Sequence, residues 1–404
     1  SAFTAGFVAV LVGFTSSVAI VFQAAQAFNA TPEMMASWMW ALGIGMGLCT
    51  LVPSLWLKKP LMVAWSTPGA AVLASAGALG GFTMQDAVGA FMVCAALITV
   101  AGVTGWFERI MNRIPLAIAS ALLAGVLARF GLSAFSAAET ALPLVLAMLL
   151  AYLVGKRWWP RYAVPATLLV AIIFVATTTG FTGASIVFGL TMPVFVAPVF
   201  GFSALVSLAL PLFIVTMASQ NLPGVAAIRA SGFGDERASG GDAGIPISKT
   251  ITLTGLATLV LAPFGAFALN LSAITAAICM GPGAHAESKR RYTAAVSCGV
   301  IYVVIGLFGA AIIGVLTAFP KELVAAIAGL ALLGTIGSAL ASAIREEAHR
   351  EAATITFLVT LSGVVVAGGG SAFWGGVAGA LALLVQHVGR RGVAQNPPDR
   401  KSVV

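Results

Sequence analysis

Apolar residues fill long stretches of this chain, and polar residues are confined to short intervals between them. A run of about 20 apolar residues crosses the hydrocarbon core of a bilayer as a helix. The pattern resolves into fourteen segments, numbered here in chain order. Their limits are 4–28, 34–57, 61–80, 84–107, 114–130, 140–155, 162–179, 204–228, 247–267, 270–282, 292–317, 322–344, 352–368 and 371–389. The pattern predicts an all-α integral membrane protein with fourteen transmembrane segments.

The composition supports this prediction. Of the 404 residues, 60% are hydrophobic and only 8% are charged, whereas a soluble domain carries about 25% charged residues. No soluble fold could bury so much apolar surface.

One apolar stretch, 180–203, does not fit a plain span. Pro193 and Pro198 interrupt it, and proline removes a backbone donor and breaks helices. The stretch is predicted to be an interfacial helix or part of a neighbouring span.

The basic residues predict the orientation of the chain. All but two of the 21 Lys and Arg residues follow even-numbered segments or lie in the C-terminal tail, and the exceptions are Arg129 and Lys321. Because basic loops stay on the cytoplasmic side, both termini are predicted to be cytoplasmic. The net charge of +8 therefore reports orientation, and no nucleic-acid partner is expected.

A polar connection, 229–245, divides the segments into two equal groups. Its glycines and charges predict a flexible cytoplasmic loop. Seven segments precede segment 8, and seven run from segment 8 to the end. An odd number of spans in each half gives the halves opposite orientations, which predicts an inverted repeat.

Segments 3 and 10, the third of each half, are both interrupted. Segment 3 contains the sequence WSTPGA at residues 65–70, and segment 10 begins after PFG with ALNLSA at residues 268–273. Interrupted spans at matching positions indicate a binding site near the membrane midplane. A helix that starts there directs unpaired N–H groups and a positive dipole end towards the site, which favours an anion. The alternative is a simple proline kink.

Segments 1 and 8 carry polar residues at matching positions. Segment 1 has Ser16, Ser17 and Gln23, and segment 8 has Ser219, Gln220 and Asn221. Buried amides are costly to leave unpaired in a membrane, so these residues are candidate substrate contacts. The alternatives are hydrogen bonds between helices for the amides and close helix packing for the serines.

Chemistry at membrane depth is otherwise sparse. All 13 Asp and Glu residues and the three His residues lie at segment ends or in loops. The chain has no zinc-protease, P-loop or Ser-His-Asp pattern and no nucleotide-binding domain. The sequence predicts no enzyme, no metal site and no cofactor. An intramembrane enzyme would need convergent acids, metal ligands or a nucleophile with its base at membrane depth.

The sequences STPGA, ASQNLPGVAAI and AFALNLSAITAAICMG together resemble the benzoate:proton symporter family of bacterial inner membranes. The resemblance covers essentially the whole chain, and ASQNLPG is its most specific part. More distantly, the arrangement is similar to the nucleobase–ascorbate and sulfate-permease transporters.

The resemblance implies a seven-plus-seven inverted repeat with core and gate domains, in which segments 3 and 10 pair short strands before their half-helices. The core would comprise 1–107 (segments 1–4) and 204–318 (segments 8–11). The gate would comprise 108–203 (segments 5–7) and 319–404 (segments 12–14 and a cytoplasmic tail). Substrate would lie between segments 3 and 10, against segments 1 and 8.

Carried over residue by residue, the resemblance adds contacts on the two broken segments: Thr67, Pro68, Gly69 and Ala70 on segment 3, and Asn270, Leu271, Ser272 and Ala273 on segment 10. The chain departs from the nucleobase carriers, which place acidic residues on segments 8 and 10. Here Ser219, Gln220 and Ala273 occupy those neighbourhoods. The absence of a carboxylate suits an anionic substrate.

The resemblance thus implies a secondary transporter that imports benzoate or a related aromatic carboxylate with a proton. Because no side chain is an obvious proton carrier, the substrate carboxyl itself would carry the proton. Phe14, Phe264, Phe267 and Met217 are candidates for an apolar wall around the ring. The expected partners are the aromatic carboxylate, the proton, membrane lipid and a second copy of the chain in a homodimer. The alternative is an inorganic-anion or nucleobase carrier, or a channel, of the same fold.

Overall fold

The computed structural model describes residues 2–15, 17–105, 107, 116–178, 180, 188–234, 244–272, 274–281, 284–364, 366 and 371–393. Within these ranges, eight helices are long and apolar enough to cross a membrane, and four shorter apolar helices accompany them. The predicted cytoplasmic loop falls largely on residues 235–243, which lie outside the described residues.

The helices follow the predicted segments closely. Segments 1 to 7 contain Ala2–Thr15, Val18–Ala27, Pro32–Leu57, Thr67–Ala78, Met84–Val103, Leu116–Ser136, Ala138–Trp158 and Ala163–Thr177. Segments 8 to 14 contain Phe202–Ala204, Leu210–Thr216, Leu222–Ala230, Ile247–Leu261, Ile274–Met280, Tyr292–Leu307, Gly309–Ala318, Lys321–Ile344, Arg350–Ser362 and Ser371–Val393. Two π-helical stretches, Leu205–Ala209 and Met217–Asn221, join the helices of segment 8.

Threonine side chains start two of the long helices. The Oγ1 of Thr31 accepts the Met34 N–H at 3.3 Å, just before the helix of segment 2. Thr83 and Asp86 form a reciprocal capping box before segment 4. Such caps satisfy the N–H groups that a helix start leaves without intrahelical partners.

Two segments predicted as single helices are divided. Segment 1 breaks between Thr15 and Val18, and segment 11 breaks at Phe308. Neither break contains proline or an unusual glycine, so the apolar pattern carried no sign of it.

The stretch 180–203 differs from the prediction. Its described part, 188–200, forms neither a helix nor a strand, so it is not an interfacial helix. Three of its amides donate to carbonyl oxygens of other segments: Thr191 to Leu307 at 2.8 Å, Val196 to Pro263 at 2.8 Å and Val199 to Gln85 at 3.0 Å. These bonds replace the internal bonds that a helix would supply, and Pro193 and Pro198 have no amide that needs a partner.

Segments 3 and 10 meet through two short strands, as predicted. Strand β1 (Val63–Trp65) pairs antiparallel with β2 (Leu269–Leu271), and Ala64 lies opposite Asn270. A backbone bond extends the ladder at each end. The Ser66 N–H donates to the Ala268 carbonyl at 3.1 Å, and the Ser272 N–H donates to the Met62 carbonyl at 3.0 Å.

The outer edges of this two-stranded ladder are closed by side chains. Each edge amide has a partner: Val63 donates to Thr50 Oγ1 (3.1 Å), Trp65 to Met46 Sδ (3.1 Å), Leu269 to Thr258 Oγ1 (3.0 Å) and Leu271 to Asn221 Oδ1 (2.9 Å). Inside a membrane, an open strand edge would leave these donors unsatisfied. Segments 2, 8 and 9 therefore supply what a longer sheet would supply elsewhere.

The two halves repeat this arrangement. Thr50 of segment 2 and Thr258 of segment 9 cap the first residues of β1 and β2. Both strands are three residues long, beginning at Val63 and Leu269, and each is followed directly by a serine, Ser66 or Ser272. Segment 2 packs along segment 11 as segment 9 packs along segment 4, and segment 5 packs along segment 12. Each segment of the first half corresponds to the segment seven places later in the second half. Replacing every segment by its counterpart turns the pair 2 and 11 into the pair 9 and 4, and it leaves the pair 5 and 12 unchanged, as an inverted repeat requires.

Glycines allow the close approach of segments 2 and 11. A Cβ built on Gly43 would lie 2.5 Å from the Cα of Gly306, and one on Gly47 would lie 2.8 Å from the carbonyl oxygen of Gly299. Small residues four apart on one helix face are a common means of close packing between membrane helices.

We predict that Gly43→Ala lowers the thermal unfolding midpoint of the detergent-purified protein, because the added methyl must push two backbones apart. Overpacking of this kind costs about 1–3 kcal/mol. Gly337→Ala is the matched control, since a Cβ at Gly337 meets nothing within 4 Å. Alanine is the better helix former by roughly 0.5–1 kcal/mol, so the control should melt no lower than wild type. Equal midpoints for the two variants would contradict the packing argument.

Candidate functional site

A cavity of about 200 Å³ lies where the two broken segments meet, and we call it the central cavity. Segments 1, 3, 8 and 10 all contribute to its lining, as do segments 2, 5, 11 and 12. The lining residues are Gly13, Phe14, Ser17, Met46, Ala64, Trp65, Thr67, Pro68, Leu127, Ser219, Gln220, Ser272, Thr275, Tyr302, Ala331 and Leu332.

Six of the predicted site residues line the central cavity: Ser17, Thr67, Pro68, Ser219, Gln220 and Ser272. Together they come from all four segments that the sequence singled out. Chain positions as distant as segments 1 and 10 thus meet at one cavity.

The other predicted residues lie elsewhere. Gly69 and Ala70 are buried within the first turn of the segment 3 helix. Asn221, Asn270 and Leu271 are fully buried around β2, where Asn221 caps the strand edge. Gln23 donates to the Val324 carbonyl at 3.4 Å and lines a different cavity. Ser16 and Ala273 lie outside the described residues.

Some polar groups of the central cavity already have protein partners. The Oγ of Ser17 accepts the indole N–H of Trp65 at 2.9 Å and donates to the Gly13 carbonyl at 2.8 Å. The Oγ of Ser272 accepts the Thr275 hydroxyl at 2.6 Å. These bonds hold the wall of the cavity in place.

Three other polar side chains have no such partner. Thr67, Ser219 and Gln220 are partly exposed to the cavity, and within the described ranges their side chains make no hydrogen bond. Polar groups at this depth are normally paired. Two hydroxyls and one amide are therefore left to bind whatever enters the cavity.

The start of the segment 3 helix adds a backbone donor. The Ser66 side chain accepts the Gly69 N–H at 3.0 Å, and the Ser66 carbonyl accepts the Ala70 N–H at 2.8 Å. Pro68 has no N–H. Of the first-turn amides, that of Thr67 alone is left without an acceptor among the described residues. A free amide at a positive helix end favours an anion.

A π-helical stretch places the segment 8 contacts. It runs from Met217 to Asn221, and the Leu222 N–H donates to the Met217 carbonyl five residues earlier. Pro223 follows, and it cannot donate to the carbonyl of Ser219. Wide turns of this type recur at functional sites, and here the turn carries both Ser219 and Gln220.

The remaining lining is apolar. Phe14, Met46, Leu127 and Leu332 face the cavity, and the rings of Phe14 and Trp65 lie 5.6 Å apart. The other predicted wall residues, Phe264, Phe267 and Met217, do not line it. Phe267, for example, packs against Trp38 with ring centroids 5.7 Å apart.

None of the described residues that line the central cavity carries a formal charge. No group of three or more metal-ligating side chains occurs in the part of the chain that the structure describes. The cavity therefore offers hydrogen-bond donors and an apolar wall rather than a fixed counter-charge.

Several lining residues were not predicted, among them Trp65, Met46, Thr275 and Tyr302. Trp65 and Thr275 flank the predicted stretches of the broken segments, so their positions alone could have suggested them. Met46 and Tyr302 lie in unbroken helices of segments 2 and 11, where nothing in the apolar pattern distinguishes them.

Comparison with known proteins places this geometry in a family. The family described as benzoate membrane transport protein matches residues 1–385. The chain is 45% identical over 384 residues to inner membrane protein YdcO of Escherichia coli (strain K12). It is 38% identical over 385 residues to the benzoate membrane transport protein of Acinetobacter baylyi (strain ATCC 33305 / BD413 / ADP1). Each alignment covers 95% of both chains.

Solved structures confirm the fold class. The transmembrane domain of the cyanobacterial bicarbonate transporter BicA superposes with a TM-score of 0.56 at 14% identity, and 96% of each chain is covered. SLC26A9 superposes with the same TM-score at 12% identity, covering 95% of this chain and 65% of that one. At these identities the likeness concerns the fold, a seven-plus-seven inverted repeat.

The matches extend over nearly the whole chain and agree with the fold that the two broken segments build. The chain is therefore a multi-pass membrane transporter, not an enzyme, and it belongs to the benzoate membrane transport protein family.

Proposed function

We propose that this transporter imports benzoate or a related aromatic carboxylate through the central cavity. The observation that carries the proposal is the convergence of three unpaired polar side chains, Thr67, Ser219 and Gln220, on a small uncharged cavity at the start of a helix. The Acinetobacter relative is named for benzoate transport, which agrees with this chemistry.

The size and lining of the cavity fit one ring and one carboxylate. Pockets for drug-sized ligands measure about 300–1,000 Å³, so a cavity of about 200 Å³ suits a smaller molecule. The carboxylate would accept hydrogen bonds from Gln220, Thr67 and the Thr67 amide. The ring would lie against Phe14, Met46 and Leu332.

Proton coupling forms a second part of the proposal. Among the described residues, no Asp, Glu or His lines the central cavity, so no described lining side chain that ionises near neutral pH is placed to carry a proton with the substrate. The substrate carboxyl binds the proton instead, and the pair crosses as the neutral acid. Neutralisation removes the cost of moving an isolated charge through a low-dielectric interior.

We further propose that transport follows from movement of a core, 1–107 with 204–318, against a gate, 108–203 with 319–404. The central cavity supports this division. Both proposed parts contribute to its lining: segments 1, 2, 3, 8, 10 and 11 from the core, and Leu127 of segment 5 with Ala331 and Leu332 of segment 12 from the gate. The charge pattern supports cytoplasmic termini in a bacterial inner membrane.

We predict that benzoate raises the thermal unfolding midpoint of the purified protein, since a ligand at about 100 times its Kd stabilises the folded state by roughly 2.7 kcal/mol. Benzamide, which keeps the ring and loses the charge, is the matched control and should give a smaller shift. A larger shift with sulfate or a nucleobase would favour the alternative carriers over an aromatic-acid transporter.

We predict that Gln220→Ala weakens benzoate binding roughly ten- to hundredfold with little change in the unfolding midpoint of the free protein. Hydrogen bonds to charged groups contribute about 1.5–3 kcal/mol, and the Gln220 side chain has no described protein partner to lose. Isothermal titration measures the affinity. Unchanged binding in this variant would place the site elsewhere.

We expect the neighbouring substitution, Asn221→Ala, to lower the stability of the free protein, which Gln220→Ala leaves nearly unchanged. It leaves the Leu271 amide at the edge of β2 without an acceptor, and an unsatisfied buried donor costs about 1–3 kcal/mol. The unfolding midpoint of the free protein should fall. An Asn221→Ala protein as stable as Gln220→Ala would contradict the assigned roles.

We predict that an inward proton gradient, imposed on reconstituted vesicles, drives benzoate accumulation. Carrying the proton on the substrate makes uptake follow the pH difference. A sodium gradient at equal pH on both sides is the control and should give equilibration only. Accumulation that followed sodium would contradict proton coupling.

A further inference from the structure

A second cavity, of about 360 Å³, lies beyond the central cavity and is wider and more open. We call it the outer cavity. Its lining comes from segments 1, 3 and 5: Gln23, Gln26, Ala27, Ala74, Ser75, Ala78, Arg129, Phe130 and Ser133. Nothing in the proposed function uses it.

Segments 1, 3 and 5 contribute to the lining of both cavities. Pro68 faces the central cavity, and Ser75, seven residues later, faces the outer one. At about 1.5 Å per residue, the two positions are ~10 Å apart along the helix. Segment 1 runs from Ser17 to Gln23 in the same sense. The outer cavity therefore lies beside the central one, towards the ends of these segments and away from the basic loops.

Among the described residues that line the outer cavity, Arg129 alone is charged. Its Nη1 is buried and has no hydrogen-bond partner. The ion pairs found in the described ranges join other residues. A cation held partly out of water without a counter-ion is unfavourable, and such residues inside membrane segments commonly mark an ion or substrate path.

The guanidinium is held against Gly363, where the helix of segment 13 ends. Gly363 has a φ of +74°, and a Cβ built there would lie 3.1–3.3 Å from the guanidinium atoms. A residue without a side chain is thus needed beside Arg129. Gln26, which also lines this cavity, is exposed, and its side chain makes no hydrogen bond within the described ranges.

We infer that Arg129, with the amide of Gln26, forms an outer anion site that captures the substrate carboxylate before it enters the central cavity. The planar fork of arginine matches a carboxylate in two parallel hydrogen bonds. A cation at the mouth of a low-dielectric path also raises the local concentration of anions and their rate of entry. This inference rests on the proposed function, since it takes the same substrate.

The test compares the initial rates of benzoate uptake in wild-type protein and three variants at low ionic strength. We expect Arg129→Gln to raise the KM about tenfold with Vmax retained, because capture is weakened and translocation is not. Arg129→Lys keeps the positive charge but lacks the planar guanidinium, so its KM should lie between those of wild type and Arg129→Gln. Lys321→Gln is the matched control: it removes the other basic residue on this side, which is exposed and lies outside the cavity lining, and its KM should equal that of wild type.

The salt dependence of the KM and a second substitution, Gln26→Glu, distinguish anion capture from a purely structural effect of replacing Arg129. Raising the ionic strength should increase the KM of wild type and leave that of Arg129→Gln nearly unchanged, since screening acts only where the cation remains. Should Arg129→Gln fail to fold, Gln26→Glu carries the test. It changes an exposed side chain, places a negative charge in the lining of the same cavity and should likewise raise the KM.

Two results would overturn the inference. If Arg129→Gln or Gln26→Glu transported benzoate with the KM and salt dependence of Lys321→Gln, Arg129 would serve only to pack against segment 13, and the proposed function would stand. If the wild-type protein took up no aromatic carboxylate, the proposed function would fall and the outer site with it.

Discussion

The structure depends on giving hydrogen-bond partners to the backbone N–H and C=O groups of segments 3 and 10, where these two segments are not helical at membrane depth. Neither lipid nor an extended sheet is available there, so β1 and β2 pair with each other, and the side chains of Thr50, Met46, Thr258 and Asn221 close the remaining edges. Only after every strand amide has a partner can the chain begin two short helices at the same place. The central cavity is the space in front of those helix starts.

This constraint separates two uses of the same residue types. The side-chain oxygens of Ser66 and Asn221 accept backbone amides, and that of Ser272 accepts the Thr275 hydroxyl. Thr67 and Gln220, each one residue away from a member of that group, keep theirs for the cavity. Adjacent residues on one segment therefore differ in role: one hydrogen-bonds to the backbone, and the side chain of the other is free to bind a ligand in the cavity.

The sequence predicted most of the frame. Long apolar stretches located the spans, and the matching interruptions located the two broken segments, 3 and 10, because proline and glycine leave a visible mark. The strands within them were implied by the family resemblance. The breaks at Ser17 and Phe308 contain no proline, and although Pro223 follows the π-helical stretch Met217–Asn221, the apolar pattern did not predict a wide turn there. Asn221 was predicted as a substrate contact because an amide at membrane depth is conspicuous, and Asn270 because the family resemblance placed a contact there. A sequence shows that such a group needs a partner, but only the fold shows whether the partner is backbone or cavity.

The strand pair also limits how such a transporter can diversify. Side chains alternate between the two faces of a strand, so inserting or deleting one residue before Val63 would exchange the directions of Ala64 and Trp65 and shift Ser66 out of its cap. The partner strand would lose its register at the same time. A change of specificity that preserves this strand pair therefore has to exchange side chains at constant strand length.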